Sequence, residues 1–215
     1  MHALLFEVLP TPEGRARYFE LAAALRPELD QNPGLLFIDR YESLSRPGVI
    51  LSHSLWRDEA SLARWRSNER HYAAQCAGRR HLFADYRLCI GMVVEGWTPM
   101  LGTSSRTEEG AYNDPGLTAP RYFATVASRG DCVCWQGFEG FRSVYRDGEF
   151  IAVATLTTRD EFAGLVDQAS GLTNVTSLRA ALVSRDYGMH ERAEAPQFLA
   201  RETTPNAVAL PHADG

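Results

Sequence analysis

The sequence contains no lysine, because all 22 of its positively charged residues are arginines. Schiff-base catalysis, covalent attachment of pyridoxal phosphate and the phosphate loop of Walker-type nucleotide-binding proteins all require a lysine amine. These three classes are therefore excluded. Arginine guanidiniums stay charged at any working pH, so they remain available to bind carboxylates or phenolates.

Long apolar runs and a strong charge bias are also missing. No apolar stretch is long enough to cross a bilayer, and no charged segment followed by an apolar segment resembles a secretion signal. The net charge of -5 is mild, and no basic face typical of nucleic-acid-binding proteins is visible. We therefore expect a cytoplasmic protein with neither a membrane nor a nucleic acid as its partner.

Cysteine is scarce and poorly placed for metal binding. The sequence has Cys76, Cys89, Cys132 and Cys134, of which only the last two are close together. Zinc sites generally combine two such pairs, or one pair with histidines at set spacing. We expect reduced thiols and no metal site.

The first half of the chain alternates strand and helix patterns. The predicted elements are a strand at 3–9, a helix at 12–29, strands at 35–43 and 49–56, a helix at 59–77 and a strand at 86–94. This β-α-β-β-α-β order is that of a ferredoxin-like unit.

A second, shorter set of elements follows residues 98–119, which are rich in Pro, Gly, Ser and Thr and predict a linker. The later patterns predict a strand at 121–127, a hairpin at 139–157, a helix from Asp160 and a strand at 176–190. We therefore expect domains at 1–97 and 120–193, followed by a tail at 194–215.

The two halves contain a repeated hairpin sequence. Ser43-Leu-Ser-Arg-Pro-Gly48 matches Ser143-Val-Tyr-Arg-Asp-Gly148, and an Arg-Asp-Glu sequence follows each copy. Residues 128–138 leave no room for a full first helix in the second copy. The second half is therefore predicted to be a degenerate repeat.

A group of motifs in the first half resembles the antibiotic biosynthesis monooxygenase family, which also contains heme-degrading monooxygenases. Trp56 precedes the predicted second helix, Trp65 lies within it and His71 follows six residues later. Gly78-Arg79 and then Tyr86 complete the motif. The resemblance covers residues 1–97 and is faint over 120–190.

This resemblance implies an α+β fold in which tandem ferredoxin-like units form an intramolecular dimeric α+β barrel. Family members usually assemble the barrel from two chains, whereas both units here lie in one chain. A monomer and a homodimer therefore both remain open. The resemblance also implies a pocket between the sheet and the helices of each unit.

The candidate catalytic residues are Trp65, Asn68 and His71. Asn68 and His71 share a helix face with Gln75, at spacings of three and seven residues. Such a face is either the solvated side of the helix or the lining of a cleft. The resemblance favours the cleft, with His71 as general base. Trp65 is then an aromatic wall, although helix tryptophans also serve in packing.

The candidate substrate-binding residues are Gln75, Arg79, Tyr86 and His53. Arg79 would either hold an anionic group or, with Arg80, form a solvated pair, and Tyr86 would either close the mouth of the pocket or serve in packing. His53 lies on a strand, on the same face as Leu51 and Leu55. It is either a buried, hydrogen-bonded histidine or one that faces the pocket.

Three functions remain open. The first is a cofactor-independent monooxygenase acting on a small aromatic or polyketide-like molecule. The second is heme binding and degradation, for which the family's ligand histidine would fall at Gln75. The third is a non-catalytic small-ligand-binding or stress-response module, since a fold does not by itself fix a function.

Overall fold

The computed structural model describes residues 1–105 and 120–195 of the chain. The first half contains β1 (His2–Pro10), α1 (Gly14–Asp30), β2 (Leu35–Ser43), β3 (Ile50–Trp56), α2 (Glu59–Arg66), α3 (Glu69–Ala77), a π-helical turn (Gly78–Leu82), β4 (Phe83–Thr98) and β5 (Gly102–Ser105). The second half contains β6 (Tyr122–Arg129), β7 (Glu139–Ser143), β8 (Glu149–Leu156), α4 (Glu161–Ser170) and β9 (Val175–Gly188). None of the described helices is long and apolar enough to cross a membrane.

Eight of these strands close into an antiparallel barrel. The first unit has the strand order β4-β1-β3-β2, and the second has the corresponding order β9-β6-β8-β7. The two sheets join along β2–β7 and β4–β9, and β5 is attached to the outer end of β4. The predicted intramolecular α+β barrel is therefore confirmed.

The β2–β7 junction shows that the two units are related by a local two-fold axis. Glu42 lies opposite Arg142, and the flanking pairs are Tyr41–Ser143 and Ser43–Phe141. Equivalent positions in the two strands differ by 100 in residue number, so Ser143 is the equivalent of Ser43 and Phe141 that of Tyr41. Tyr41 thus pairs with the equivalent of Ser43, and Ser43 pairs with the equivalent of Tyr41. This register places the duplicated hairpins in equivalent positions.

Side-chain hydrogen bonds across this junction are reciprocal. Ser43 Oγ donates to Glu139 at 2.6 Å, and the equivalent Ser143 Oγ donates to Asp39 at 2.8 Å. The arginine three residues beyond each serine pairs with the same carboxylate, Arg46 at 2.6 Å and Arg146 at 3.2 Å. Because Asp39 is only 2% exposed, its pairing matters for the stability of the junction.

The hydrophobic core has an inner and two outer parts. Inside the barrel, Leu51, Phe141 and Ile151 are buried between the two sheets. Outside it, α1, α2 and α3 cover the first sheet, and α4 covers the second. Strand β3 is buried along its whole length because both of its faces are covered.

The predicted helix at 59–77 is wrong in one respect, because it is two helices. Helix α2 ends at Arg66, and the Asn68 side chain caps α3 by accepting from the His71 backbone N–H at 3.0 Å. Asparagine favours such a cap because its short side chain competes for the backbone donors of the first turn. Asn68 therefore lies before α3 and does not share a continuous helix face with His71 and Gln75.

Two other segments differ from expectation. Within the predicted linker at 98–119, Gly102–Ser105 forms β5 and pairs with Glu95–Thr98 of β4. In the second half, a loop replaces the first helix, and its residues Val133, Trp135 and Phe138 pack against the outer hydrophobic cluster. The remainder of the predicted linker, and the predicted tail beyond residue 195, lie outside the described residues.

Candidate functional site

A cavity of about 210 Å³ lies between the first sheet and its covering helices. Alternating residues of four strands form its floor: Leu4, Phe6, Ile38, Arg40, Ser52, Ser54, Trp56, Tyr86 and Leu88. The helices and the π-helical turn supply the roof: Tyr18, Leu21, Ala22, Leu25, Leu29, Leu62, Trp65, Arg66, His71, Ala74, Gln75, Arg79 and Leu82. The walls are thus mainly aromatic and aliphatic, so a ligand inside is largely shielded from water.

One lateral row of the barrel crosses the floor of this cavity. Arg40, Ser52, Phe6, Leu88 and Tyr187 are successive register partners on β2, β3, β1, β4 and β9. Neighbouring strands lie about 4.8 Å apart, so the row extends about 19 Å measured around the barrel wall. Since β9 belongs to the second unit, the cavity is built by both halves of the chain.

His71 is oriented by its neighbours. Its Nδ1–H donates to the Trp65 carbonyl oxygen at 3.0 Å, and the two rings stack with centroids 4.4 Å apart at 18°. The Gln75 side-chain amide lies 3.3 Å from the same nitrogen. A carbonyl oxygen only accepts, so this partner fixes the hydrogen on Nδ1 and leaves Nε2 as the lone-pair nitrogen.

The protonation state of His71 follows from its burial. Removal from solvent lowers the pKa of His71 from 6.5 to about 4, and the hydrogen bond to the Trp65 carbonyl offsets only part of that effect. The imidazole is therefore neutral at neutral pH. A neutral imidazole with a free Nε2 is the form that can accept a proton from a substrate.

Four further candidate residues from the sequence line the cavity: Trp65, Gln75, Arg79 and Tyr86. Tyr86 stands at its mouth, where its hydroxyl accepts from Arg192 Nη1 at 2.6 Å. Asn68 is not among the lining residues. Its side-chain Nδ2 donates to Glu28 at 3.1 Å, so it holds α3 against α1.

His53 lies on the opposite side of the sheet. It is 3% exposed and faces the barrel interior, where Nδ1 donates to the Leu4 carbonyl oxygen at 3.1 Å. Burial lowers the pKa of His53 to about 4. Of the two alternatives for this residue, the structure supports the buried, hydrogen-bonded histidine.

The charged residues that line the cavity are arginines. Its lining includes four arginines, Arg40, Arg66, Arg79 and Arg192. Among the described residues, no aspartate or glutamate lines it. An apolar cavity with guanidiniums at its edges suits a mainly apolar molecule that carries an anionic oxygen.

Comparison with known proteins agrees with this geometry. A family model described as antibiotic biosynthesis monooxygenase matches residues 1–77. The whole chain is also similar to the jasmonate monooxygenase ABM of Pyricularia oryzae, at 32% identity over 92% of this chain and 98% of that protein. The chain belongs to the antibiotic biosynthesis monooxygenase family.

Two solved structures similar to parts or most of the chain have low sequence identity and low TM-scores. A crystal structure of an antibiotic biosynthesis monooxygenase covers 42% of this chain and 95% of its own, with 20% identity and a TM-score of 0.38. An anthrone oxidase-like protein covers 91% of this chain and 96% of its own, with 13% identity and a TM-score of 0.38.

The antibiotic biosynthesis monooxygenase family includes heme-degrading enzymes, and heme iron requires an axial ligand such as a histidine imidazole. Gln75 occupies the position at which the heme-degrading branch has its ligand histidine, and an amide is a poor substitute for imidazole. Of the described histidines, only His71 lines the cavity, stacked on Trp65. These residues do not fit a heme site.

Sequence reasoning missed several cavity residues. Tyr18 and Arg40 could have been found, since Tyr18 shares the apolar face of α1 with Leu25, and Arg40 alternates with Ile38. Tyr187 and Arg192 could not, because they reach the first unit only through the β4–β9 pairing. No local pattern in the second half indicates that contact.

Proposed function

We propose that this protein is a cofactor-independent monooxygenase of a small aromatic or polyketide-like substrate, with His71 as the general base. The observation that carries the proposal is the state of His71: a neutral imidazole, anchored through Nδ1, that lines a largely apolar cavity. Trp65 and Tyr86 then form aromatic walls for a flat substrate.

The chemistry balances without a reductant. His71 Nε2 removes a proton from a phenol or an activated CH₂ group, and the resulting anion passes one electron to dioxygen. The two radicals recombine into a peroxide anion, which takes the proton back from His71 to become a hydroperoxide and then loses water to give a carbonyl. One oxygen atom enters the product and the other leaves as water, and the CH₂ group supplies all four electrons. The arginines lining the cavity stabilise the anionic intermediate.

The relative from Pyricularia oryzae suggests one substrate to include in a screen. Because that protein is named a jasmonate monooxygenase, jasmonate belongs beside hydroxylated aromatics and polyketide-like compounds. Substrates are best compared by oxygen uptake in chelator-treated buffer. A non-catalytic binding module would bind members of the panel without consuming oxygen.

The test replaces His71 with Ala. We expect kcat to fall by about 10²–10⁴-fold, the usual scale for a lost general base. The control is Thr173→Ala, at an exposed loop position 102 residues after His71, which is the sequence offset between Asp58 and Asp160, and it should leave kcat unchanged. Full turnover in the His71 variant would contradict the proposal, as would hemin binding at one equivalent with a sharp Soret band.

We also propose that the barrel needs no second chain, because its eight strands close within one chain. Light scattering at increasing concentration measures this directly. A constant mass of one chain is expected, and a stable homodimer would show that a further surface is used for assembly.

A further inference from the structure

Arg40 is a largely buried guanidinium with unusual partners. Its Nε donates to Tyr18 Oη at 3.2 Å, its Cζ lies 5.7 Å from the centre of the same ring, and it also hydrogen-bonds to Tyr145. Within residues 1–105 and 120–195, no carboxylate forms an ion pair with it. The charge is therefore hydrogen-bonded by phenols but not neutralised.

Two arginines elsewhere in the structure have the carboxylate partners that Arg40 lacks. Arg46, at a more exposed position, pairs with Glu139 and Glu7, and Arg159 pairs with Glu95. Charged side chains removed from solvent are usually paired, so a guanidinium that lines a cavity without a carboxylate partner is available to an anionic ligand. The missing counter-charge of Arg40 is best supplied by whatever occupies the cavity.

Tyr18 adds a second donor at this place. It is 8% exposed and lines the cavity, and burial raises its pKa, so it stays a neutral phenol. Because Arg40 donates to its oxygen, the Tyr18 hydroxyl hydrogen remains free for another acceptor. A carboxylate placed here would meet a guanidinium and a polarised hydroxyl together.

An apolar stretch of α1 separates this pair from the part of the helix that α3 approaches. Helix α3 approaches α1 near Ala24, whose carbonyl oxygen lies 3.5 Å from Arg70 Nη2, next to His71 in the sequence. Tyr18 lies six residues earlier on α1, which corresponds to about 9 Å along the helix axis. Leu21, Ala22 and Leu25 line the space between and offer only apolar contacts.

We propose that Arg40 and Tyr18 bind the carboxylate of an apolar carboxylic acid whose reacting carbon lies beside His71, across the apolar span of the same cavity. This deepens the proposed function and rests on it for the identity of the reacting end. Arg192 is not the anchor, because it is exposed at the mouth of the cavity and engaged with Tyr86.

The test compares 2-naphthoate with its neutral analogue 2-naphthamide by isothermal titration calorimetry on the full chain. The wild type should bind the acid about 10–100-fold more tightly, the usual value of a charge-assisted hydrogen bond. Arg40→Met should abolish this preference while leaving naphthamide affinity unchanged, and Arg40→Lys should restore part of it. Arg142→Met, at an exposed arginine outside the cavity, is the control.

Equal affinity for the two probes in the wild type would overturn the proposal, as would an acid preference that survives in Arg40→Met. If Arg40→Met does not fold, Tyr18→Phe removes one hydroxyl and should reduce the preference about 5–10-fold; an unchanged preference would refute the pair. Binding needs no turnover, so the two proposals fail separately: an inactive wild type with a strong acid preference contradicts only the monooxygenase.

Discussion

Lowering the pH from 7 to 5 should destabilise the protein through His53 and His71, two histidines whose pKa is lowered by removal from solvent. Burial lowers the pKa of each from 6.5 to about 4. Between these values the unfolded chain takes up a proton at each residue and the folded chain does not. Stability is therefore complete above pH 6.5 and is lost as the pH falls towards 4.

The size of the effect follows from linkage. Each histidine costs about 1.4 kcal/mol per pH unit within this range, or about 2 kcal/mol between pH 7 and 5. The two together amount to about 4 kcal/mol, a large part of the 5–15 kcal/mol typical of a domain. Glu139 and Glu161 have lowered pKa values in the folded chain, and their contributions are lost mainly below pH 5.

Urea unfolding followed by tryptophan fluorescence at pH 7, 6 and 5 measures the loss. In His71→Gln, the difference in unfolding free energy between pH 7 and pH 5 should be about half that of the wild type, because one titrating group is gone. A wild type equally stable at pH 7 and 5 would refute the assignment of two neutral histidines. An unaltered pH slope in His71→Gln would refute it for that residue.

Two further substitutions test the hairpin and the shared cavity. Gly48→Ala should lower stability by about 1 kcal/mol in urea unfolding, because Gly48 has φ +82°, whereas Gly164→Ala, inside α4 with open space around it, should raise it slightly. Tyr187→Ala, although in the second half, should weaken ligand binding in the first about tenfold by removing aromatic contact, and unchanged calorimetric affinity would contradict the two-unit cavity.

The fold could be predicted from the sequence because its signals are local and repeated. The matching hairpin sequences at Ser43 and Ser143 indicate the duplication, and the motif from Trp65 to Tyr86 indicates the family. His53 was ambiguous because alternation shows which residues share a face, but not which face covers the cavity. The break at Asn68 was hidden because a capping residue and a mid-helix residue look alike when helical patterns continue on both sides.

The cavity was only half predictable for a related reason. His71, Gln75 and Arg79 lie on one continuous segment, so their spacing indicates their proximity. Tyr187 joins them through a strand pairing whose partners are about a hundred residues apart in the sequence. Such a contact depends on how the two sheets pair, and no short segment of the sequence contains that information.

The reciprocal bonds of Ser43 with Glu139 and Ser143 with Asp39 also bear on how such a protein can change. In a barrel made from two identical chains, every substitution appears twice, and dilution separates the partners. Once the two units are fused, the barrel forms at any protein concentration, because its assembly is intramolecular. Each unit can then vary alone, so one hairpin can carry aspartate and the other glutamate. One unit can lose a helix while the other keeps Trp65 and His71, without either change being copied into its partner.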